Sequence, residues 1–269
     1  MKFNLKGLLA IAAAASALIL SGCGEKEADT SKIKVGVMAG AEAQVAEVAA
    51  KVAKEKYGLD VELVTFTDYV TPNAALDDGS IDINAFQHKP YLDQQVADRG
   101  YKLTIAGNTF VYPIAGYSKQ VKSVEEIKEG DRIAVPNDPT NLGRSLLLLE
   151  QQGLLKLREG VGLLATVRDI VENPKNITIV ELEAAQLPRS LDDVALSIIN
   201  TTYASSIDLT PQKDGVFVED KESPYVNLIV AREENVNAEN VQNFVKSYQT
   251  DEVYTAASDI FKGGVVKGW

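Results

Sequence analysis

The chain has 269 residues, 45% hydrophobic and 24% charged, which allows one large domain or two small ones and excludes the disordered, collagen-like and polytopic-membrane classes. With 27 Lys+Arg against 38 Asp+Glu the net charge is −11, which repels phosphate backbones, so no nucleic-acid partner is expected. One cysteine excludes an intrachain disulfide and one histidine excludes an HExxH site, so no metal and no cofactor are expected.

Lys2 and Lys6 lie beside an apolar run from Leu8 to Leu20. A comfortable transmembrane helix needs about 20 apolar residues, so this run suits the core of a secretory signal instead. It ends in Leu20-Ser21-Gly22-Cys23, which is similar to a bacterial lipobox, where the cysteine is lipidated and becomes the new N-terminus. Residues 1–22 then read as a lipoprotein signal peptide, and Cys23 as the site of fatty-acyl chains, palmitate among them, that hold the protein at a membrane. Residues 23–32 read as the lipidated cysteine and a polar, flexible tether. Losing Lys2 and Lys6 takes the charge from −11 to −13. The expected location is the cell envelope, as an anchored lipoprotein facing the periplasm.

Ile33, Val35 and Val37 alternate with other residues as in a short strand, and Gly40 breaks the pattern. Val45, Val48, Ala49, Val52 and Ala53 mark one face of a helix that Gly58 ends. A strand over 61–66, a helical stretch near 72–76 and a strand over 81–86 follow. Pro90 suits a helix start, Gly100 a helix stop, and Leu103 begins another strand. A second round has strands over 133–135, 177–182 and 194–199, a helix over 141–152 and another at Thr202. A strand over 225–231 and helices near 238–248 and 253–261 close the chain. This order predicts an α/β fold with a mainly parallel sheet covered by helices on both faces. No Pro/Gly-rich linker separates the two rounds, which suits two lobes joined by crossing strands with a ligand cleft between them.

Gly36-x-x-x-Gly40 is not a dinucleotide fingerprint, and neither a P-loop nor a G-x-S-x-G elbow exists. Three signals for a small-molecule site remain. Asn137 to Arg144 leads from a strand into a helix whose first turn can attract an anion, and Arg144 can clamp a carboxylate; equally, Arg144 can make a surface ion pair while Asn141 caps. Tyr69, Phe86, His88 and Tyr91 could sandwich a thioether or could simply be core. Asn200 and Asn227 lie at or in apolar strands, where a ligand or neighbouring backbone must satisfy their amides.

The stretches Asn84 to Leu92, Pro136 to Arg144, Ile199 to Ala204 and Ser223 to Leu228 resemble the MetQ/NlpA family, the methionine-binding lipoproteins of ABC importers. The resemblance runs from the lipobox to Trp269. It implies a two-lobed periplasmic-binding-protein fold, type II-like, with lobe I over 33–113 and 229–269 and lobe II over 114–228. It implies a monomer without catalysis that captures methionine and passes it to an ABC permease and its ATPase partner. By the family pattern Arg144 holds the ligand carboxylate, Asn141, Asn200 and Asn227 bond its polar ends with His88 close by, and Tyr69, Phe86 and Tyr91 pack on the thioether. Residues 190–199 are slightly shorter than the family pattern, and a gap inside that strand would turn Asn200 to the other face. Two other readings are a periplasmic enzyme on the same scaffold, for which His88 is the sole ring base and no activated pair is visible, and a lipoprotein acting through surface contacts.

Overall fold

The computed structural model of the protein describes residues 30–220 and 223–269. The expected signal peptide, Cys23 and most of the tether lie outside the described residues; Lys32, the tether's last residue, opens the first strand. From Ser31 to Trp269 the chain is one compact unit.

The chain begins β1 (Lys32–Met38), α1 (Ala41–Tyr57), β2 (Asp60–Phe66), α2 (Thr71–Asp77), β3 (Ile83–His88), α3 (Lys89–Arg99) and β4 (Leu103–Val111). Gly58 and Gly100 stop α1 and α3 because both adopt the left-handed conformation, φ 66° and 71°, which a side chain would disfavour. A second stretch holds β5 (Ala115–Tyr117), β6 (Arg132–Pro136), α4 (Pro139–Gln151), β7 (Lys156–Leu157), β8 (Ile170–Glu172) and β9 (Thr178–Leu182). It continues through α5 (Leu187–Ser190), β10 (Leu196–Ile199), α6 (Thr201–Ser205), α7 (Pro211–Asp214) and β11 (Phe217–Val218). The chain then returns through β12 (Val226–Arg232), α8 (Glu239–Tyr248), α9 (Asp251–Ile260) and β13 (Val266–Lys267).

Two main sheets result. One has six strands in the order β13-β4-β12-β3-β1-β2, the other five in the order β11-β5-β10-β6-β9. The expectation of a mainly parallel sheet needs correction: both sheets are mixed. β1 pairs in parallel with β2 and β3, but β12 lies antiparallel between β3 and β4. The reason is connectivity. β4 leaves the first sheet at Val111, and the chain comes back at the same end, since Val226 pairs with Val111, so the returning strand must run the opposite way. In the second sheet β6 is parallel to β9 and β10, while the short β5 is antiparallel to β10 and β11. Residues 226–228 pair within the six-stranded sheet.

The strands β5, β7, β8, β11 and β13 and the helices α5 and α7 went unanticipated. They span two to four residues, too few for any periodicity to register. Apolar faces decide the layers. Val45, Ala46, Ala49, Val52 and Ala53 of α1 pack with Phe244 and Val253 of α8 and α9 on the six-stranded sheet. Leu142, Leu146 and Leu149 of α4 pack with Ile133, Val135, Leu196 and Ile198 of the five-stranded one. A third cluster, including Met38, Phe86, Tyr117 and Ile199, draws on strands or residues of both halves.

Candidate functional site

The strands of the two sheets end facing one cavity, the usual location of ligand sites in open α/β sheets. About 370 Å³ of space is lined by Tyr69 after β2, Phe86, Gln87 and His88 of β3, Tyr91 of α3 and Tyr112 after β4. The other half adds Asn141 and Arg144 of α4, Asn200 at the end of β10, and Thr201 and Thr202 of α6, with Asn227 of β12 completing the wall. The eight residues singled out from sequence, Tyr69, Phe86, His88, Tyr91, Asn141, Arg144, Asn200 and Asn227, are therefore neighbours around one space.

A β-bulge shapes the β3 wall. Gln87 pairs with Leu228 and Ala85 with Ile229, which leaves Phe86 without an opposite residue. The Asn227 amide nitrogen donates to the Phe86 carbonyl at 3.2 Å. The bulge upsets the two-residue alternation, so His88, Gln87 and Phe86 all reach the cavity.

The start of α4 is not the open anion seat that the sequence suggests. Asp138, not Asn141, is the cap: its carboxylate accepts from the Asn141 backbone N–H at 2.9 Å, from the Thr140 hydroxyl at 3.0 Å and from the Asn141 side-chain amide at 2.9 Å. With its NH₂ on Asp138, Asn141 turns its carbonyl inward, where it accepts from the Asn200 amide at 2.9 Å. His88 Nε2 lies 3.3 Å from the same oxygen. His88 Nδ1 accepts from the Tyr91 backbone N–H at 3.2 Å and so caps α3; in the neutral ring the proton is then on Nε2 and donates to Asn141. Burial, and then the charge of Arg144, push the His88 pKa down to about 3.

Arg144 is the second correction. It is neither a surface ion pair nor an unpartnered cation. Its Nε donates to Glu219 Oε1 at 2.8 Å, its Nη2 donates to Glu219 Oε2 and, at 3.0 Å, to the Tyr112 carbonyl. The guanidinium carbon stands 4.3 Å from the centre of the Tyr225 ring. Both partners of the pair are buried, 3% and 11% exposed at the side chain, so the local charge is compensated. Glu219 was missed because it is far along the chain and no spacing links it to Arg144; the one available signal is that a buried arginine needs a carboxylate.

Asn200 follows β10, which pairs with β5 and β6, and it lines the cavity. Its amide donates to Asn141, whereas its Oδ1 is buried without a hydrogen-bond partner among the described residues. The aromatic residues form a continuous cluster of tilted and edge-to-face rings: ring centres are 5.9 Å apart for Tyr69–Phe86 and Phe86–Tyr91, and 5.0 Å for Tyr69–Tyr203. The Tyr91 hydroxyl donates to the Tyr69 carbonyl at 2.8 Å. Gln87, Tyr112, Thr201 and Thr202 were not anticipated; Gln87 and Thr201 adjoin a residue that was, Thr202 is two positions after Asn200, and Tyr112 follows the last residue of β4. The cavity thus offers aromatic faces at one side and amide, hydroxyl and guanidinium groups at the other, which suits a small amphipathic molecule with a charged end. No cluster of His, Cys, Asp and Glu suited to a metal exists among the described residues.

Comparison with known proteins adds the following. Residues 33–269 match the family model described as NlpA lipoprotein. The chain is 84% identical, over the full length of both, to the "Probable D-methionine-binding lipoprotein MetQ" of Vibrio cholerae. Among solved structures, a "Methionine Binding Protein, MetQ" is 73% identical with a TM-score of 0.89, covering 90% of this chain and 99% of its own. A Burkholderia cenocepacia nutrient binding protein bound to methionine is 50% identical with a TM-score of 0.86, covering 88% and 100%. A periplasmic substrate-binding protein of an ABC transporter from Coxiella burnetii is 47% identical with a TM-score of 0.85, covering 88% and 100%. These neighbours carry the same two-lobed fold.

Proposed function

The chain belongs to the NlpA lipoprotein family, and from that premise we propose that it captures methionine, as the L- or D-enantiomer, and hands it to an ABC importer. The observation that carries this reading is the cavity itself: a group of aromatic rings meets a cluster of amide groups and a buried arginine at the strand ends of both sheets. An apolar thioether chain fits against the rings, where sulfur gains about 0.3–1.5 kcal/mol. The ligand carboxylate turns to Arg144 with Asn227 beside it, and the inward carbonyl of Asn141 stands towards the ammonium end. The ammonium group turns to the unpartnered Asn200 Oδ1. His88 is neutral and holds Asn141 in place.

Capture works by closure of lobe I, the half built on the six-stranded sheet, on lobe II, the half built on the five-stranded one. The protein acts as a monomer, performs no reaction on its ligand, and needs no metal or cofactor. Acyl chains on Cys23 hold it at the membrane, on the periplasmic side, where a permease with its ATPase takes the ligand over. No helix among the described residues is long and apolar enough to cross a membrane.

Calorimetry on protein stripped of bound ligand tests the reading. One-to-one binding of L- or D-methionine is expected, and the intact amino acid should be recovered after long incubation. No heat with either enantiomer would overturn it. Mass spectrometry of the native protein should find acyl chains on Cys23.

A further inference from the structure

The first turn of α1 carries a carboxyl group that the binding reaction proposed above does not use. Glu42 is 3% exposed, and its Oε1 is hydrogen-bonded to the Thr202 hydroxyl on α6. That bond joins the half built on the six-stranded sheet to the half built on the five-stranded one, and Thr202 is part of the ligand-cavity wall. Along the same seam runs a second cavity, with Gly40, Ala41 and Gln44 on one side and Thr201 and Ser205 on the other. Thr201 lines both cavities. The Glu42–Thr202 bond is therefore in the partition between them, and parting the halves here would open Glu42 to water.

The titratable groups that face Glu42 are phenols: Tyr69 after β2, Tyr112 after β4, Tyr203 on α6 and Tyr248 on α8. The acidic first turn of α9 meets α1 more than two turns further along, where Glu252 lies 4.0 Å from Lys51. No lysine, arginine or histidine among the described residues contributes to the Glu42 charge balance. Burial raises its pKa to about 8, with the Thr202 hydrogen bond opposing in part.

We propose that Glu42 is a positioning residue that bridges the two halves to Thr202 as an uncharged carboxyl, so that closure around the ligand takes up a proton. This rests on the binding function proposed above. The sign follows from linkage. Water-exposed in the open form, the carboxyl titrates near the ordinary glutamate value of about 4.3; in the closed form it titrates near 8. Affinity is then highest at low pH, falls by up to about ten-fold per pH unit between those values, and levels off above the upper one.

The test is calorimetry of methionine binding at pH 6.5 and 8.5, in buffers of different ionisation enthalpy, on the wild-type mature chain, Glu42→Gln and Glu42→Ala. The wild type should take up about one proton at the lower pH and bind about 25-fold more weakly at the higher one. Glu42→Gln, isosteric with the neutral acid, should keep the low-pH affinity and lose the pH dependence. Glu42→Ala should bind more weakly at both. A wild type without proton uptake, or a Glu42→Gln variant with the wild-type pH slope, would overturn the inference. Thermal melting at saturating methionine, which holds the closed form, provides a second arm: Glu42→Gln should gain on the wild type as pH rises, and parallel profiles would overturn the uncharged-carboxyl assignment. Absence of methionine heat in the wild type would defeat the binding function on which the inference rests, whereas heat without proton uptake would defeat the inference alone.

Discussion

Asn73, Asn84 and Gln87, of which only Gln87 reaches the cavity, and Asn141, Arg144 and Asn200 on its wall are all buried, yet the two groups use their hydrogen-bonding capacity differently. In the first, Asn73 and Gln87 exchange amide bonds at 2.8 and 2.6 Å, and Asn84 donates to Asn73 at 2.9 Å while accepting from Gln87 at 3.0 Å. The set is closed, every member serving the others, and it ties α2 to β3. In the second, Asn141 is fixed by Asp138 and Arg144 by Glu219, but the Asn200 Oδ1 finds no partner among the described residues. A buried polar group without a partner costs about 1–3 kcal/mol, so a cluster that leaves one facing a cavity is built for something other than stability. Burial and residue type alone do not separate a structural amide cluster from a recognition site; the completeness of its hydrogen bonds does.

Substitutions can break this contrast. The largest effect is expected for Arg144→Met, which strands a buried Glu219 and should cost about 3–5 kcal/mol of stability together with the heat of methionine binding. Melting and calorimetry on the same sample check both, and a stable variant with unchanged affinity would refute the role of Arg144. Asn73→Ala, in the closed set, should cost about 1–3 kcal/mol in denaturant titration while leaving affinity within a few-fold. Asn200→Ala should do the reverse, weakening methionine binding by about ten-fold or more with little change in melting. If these two variants behaved alike, the distinction between closed and open clusters would fail here. Gly143→Ala probes the scaffold beneath Arg144: a Cβ there would stand 2.1 Å from the Leu163 carbonyl, so α4 must shift, at about 1–3 kcal/mol. The last effect concerns His88 and develops only at acidic pH. Its folded pKa near 3 is below the unfolded value of about 6.5, so its contribution to stability is complete above the unfolded value and is lost as pH falls towards the folded one. The loss is about 1.4 kcal/mol per pH unit in that window, and the stability of His88→Gln should vary less over it.

Much of the site was legible in the chain because its residues occur where strands end and helices begin. Asn84 to Leu92 and Pro136 to Arg144 have strand-to-helix patterns that place polar residues at such junctions, and the family resemblance attached roles to them. What the pattern could not carry was pairing at a distance. Glu219 is 75 residues from Arg144 and has no periodic relation to it. Asp138 was read as part of a turn, although an Asp before Pro at a helix start is a capping signal. The bulge at Phe86 depends on how β12 docks against β3, so nothing within residues 83–88 alone marks Gln87 as a cavity residue.

By itself the sequence determined the α/β class, the long helices with their glycine stops, and eight of the twelve residues that line the cavity. Those features depend on local backbone preference and on apolar periodicity, which the chain carries within each segment. Only the tertiary structure decided that both sheets are mixed, because the direction of a returning strand depends on which end the chain re-enters. It also decided that Arg144 is paired with Glu219, that Asp138 fills the start of α4, and that Glu42 bridges to Thr202. Each of these is a contact between charged or polar groups whose energy depends on burial and on a partner elsewhere in the chain, and neither is present in a segment read alone.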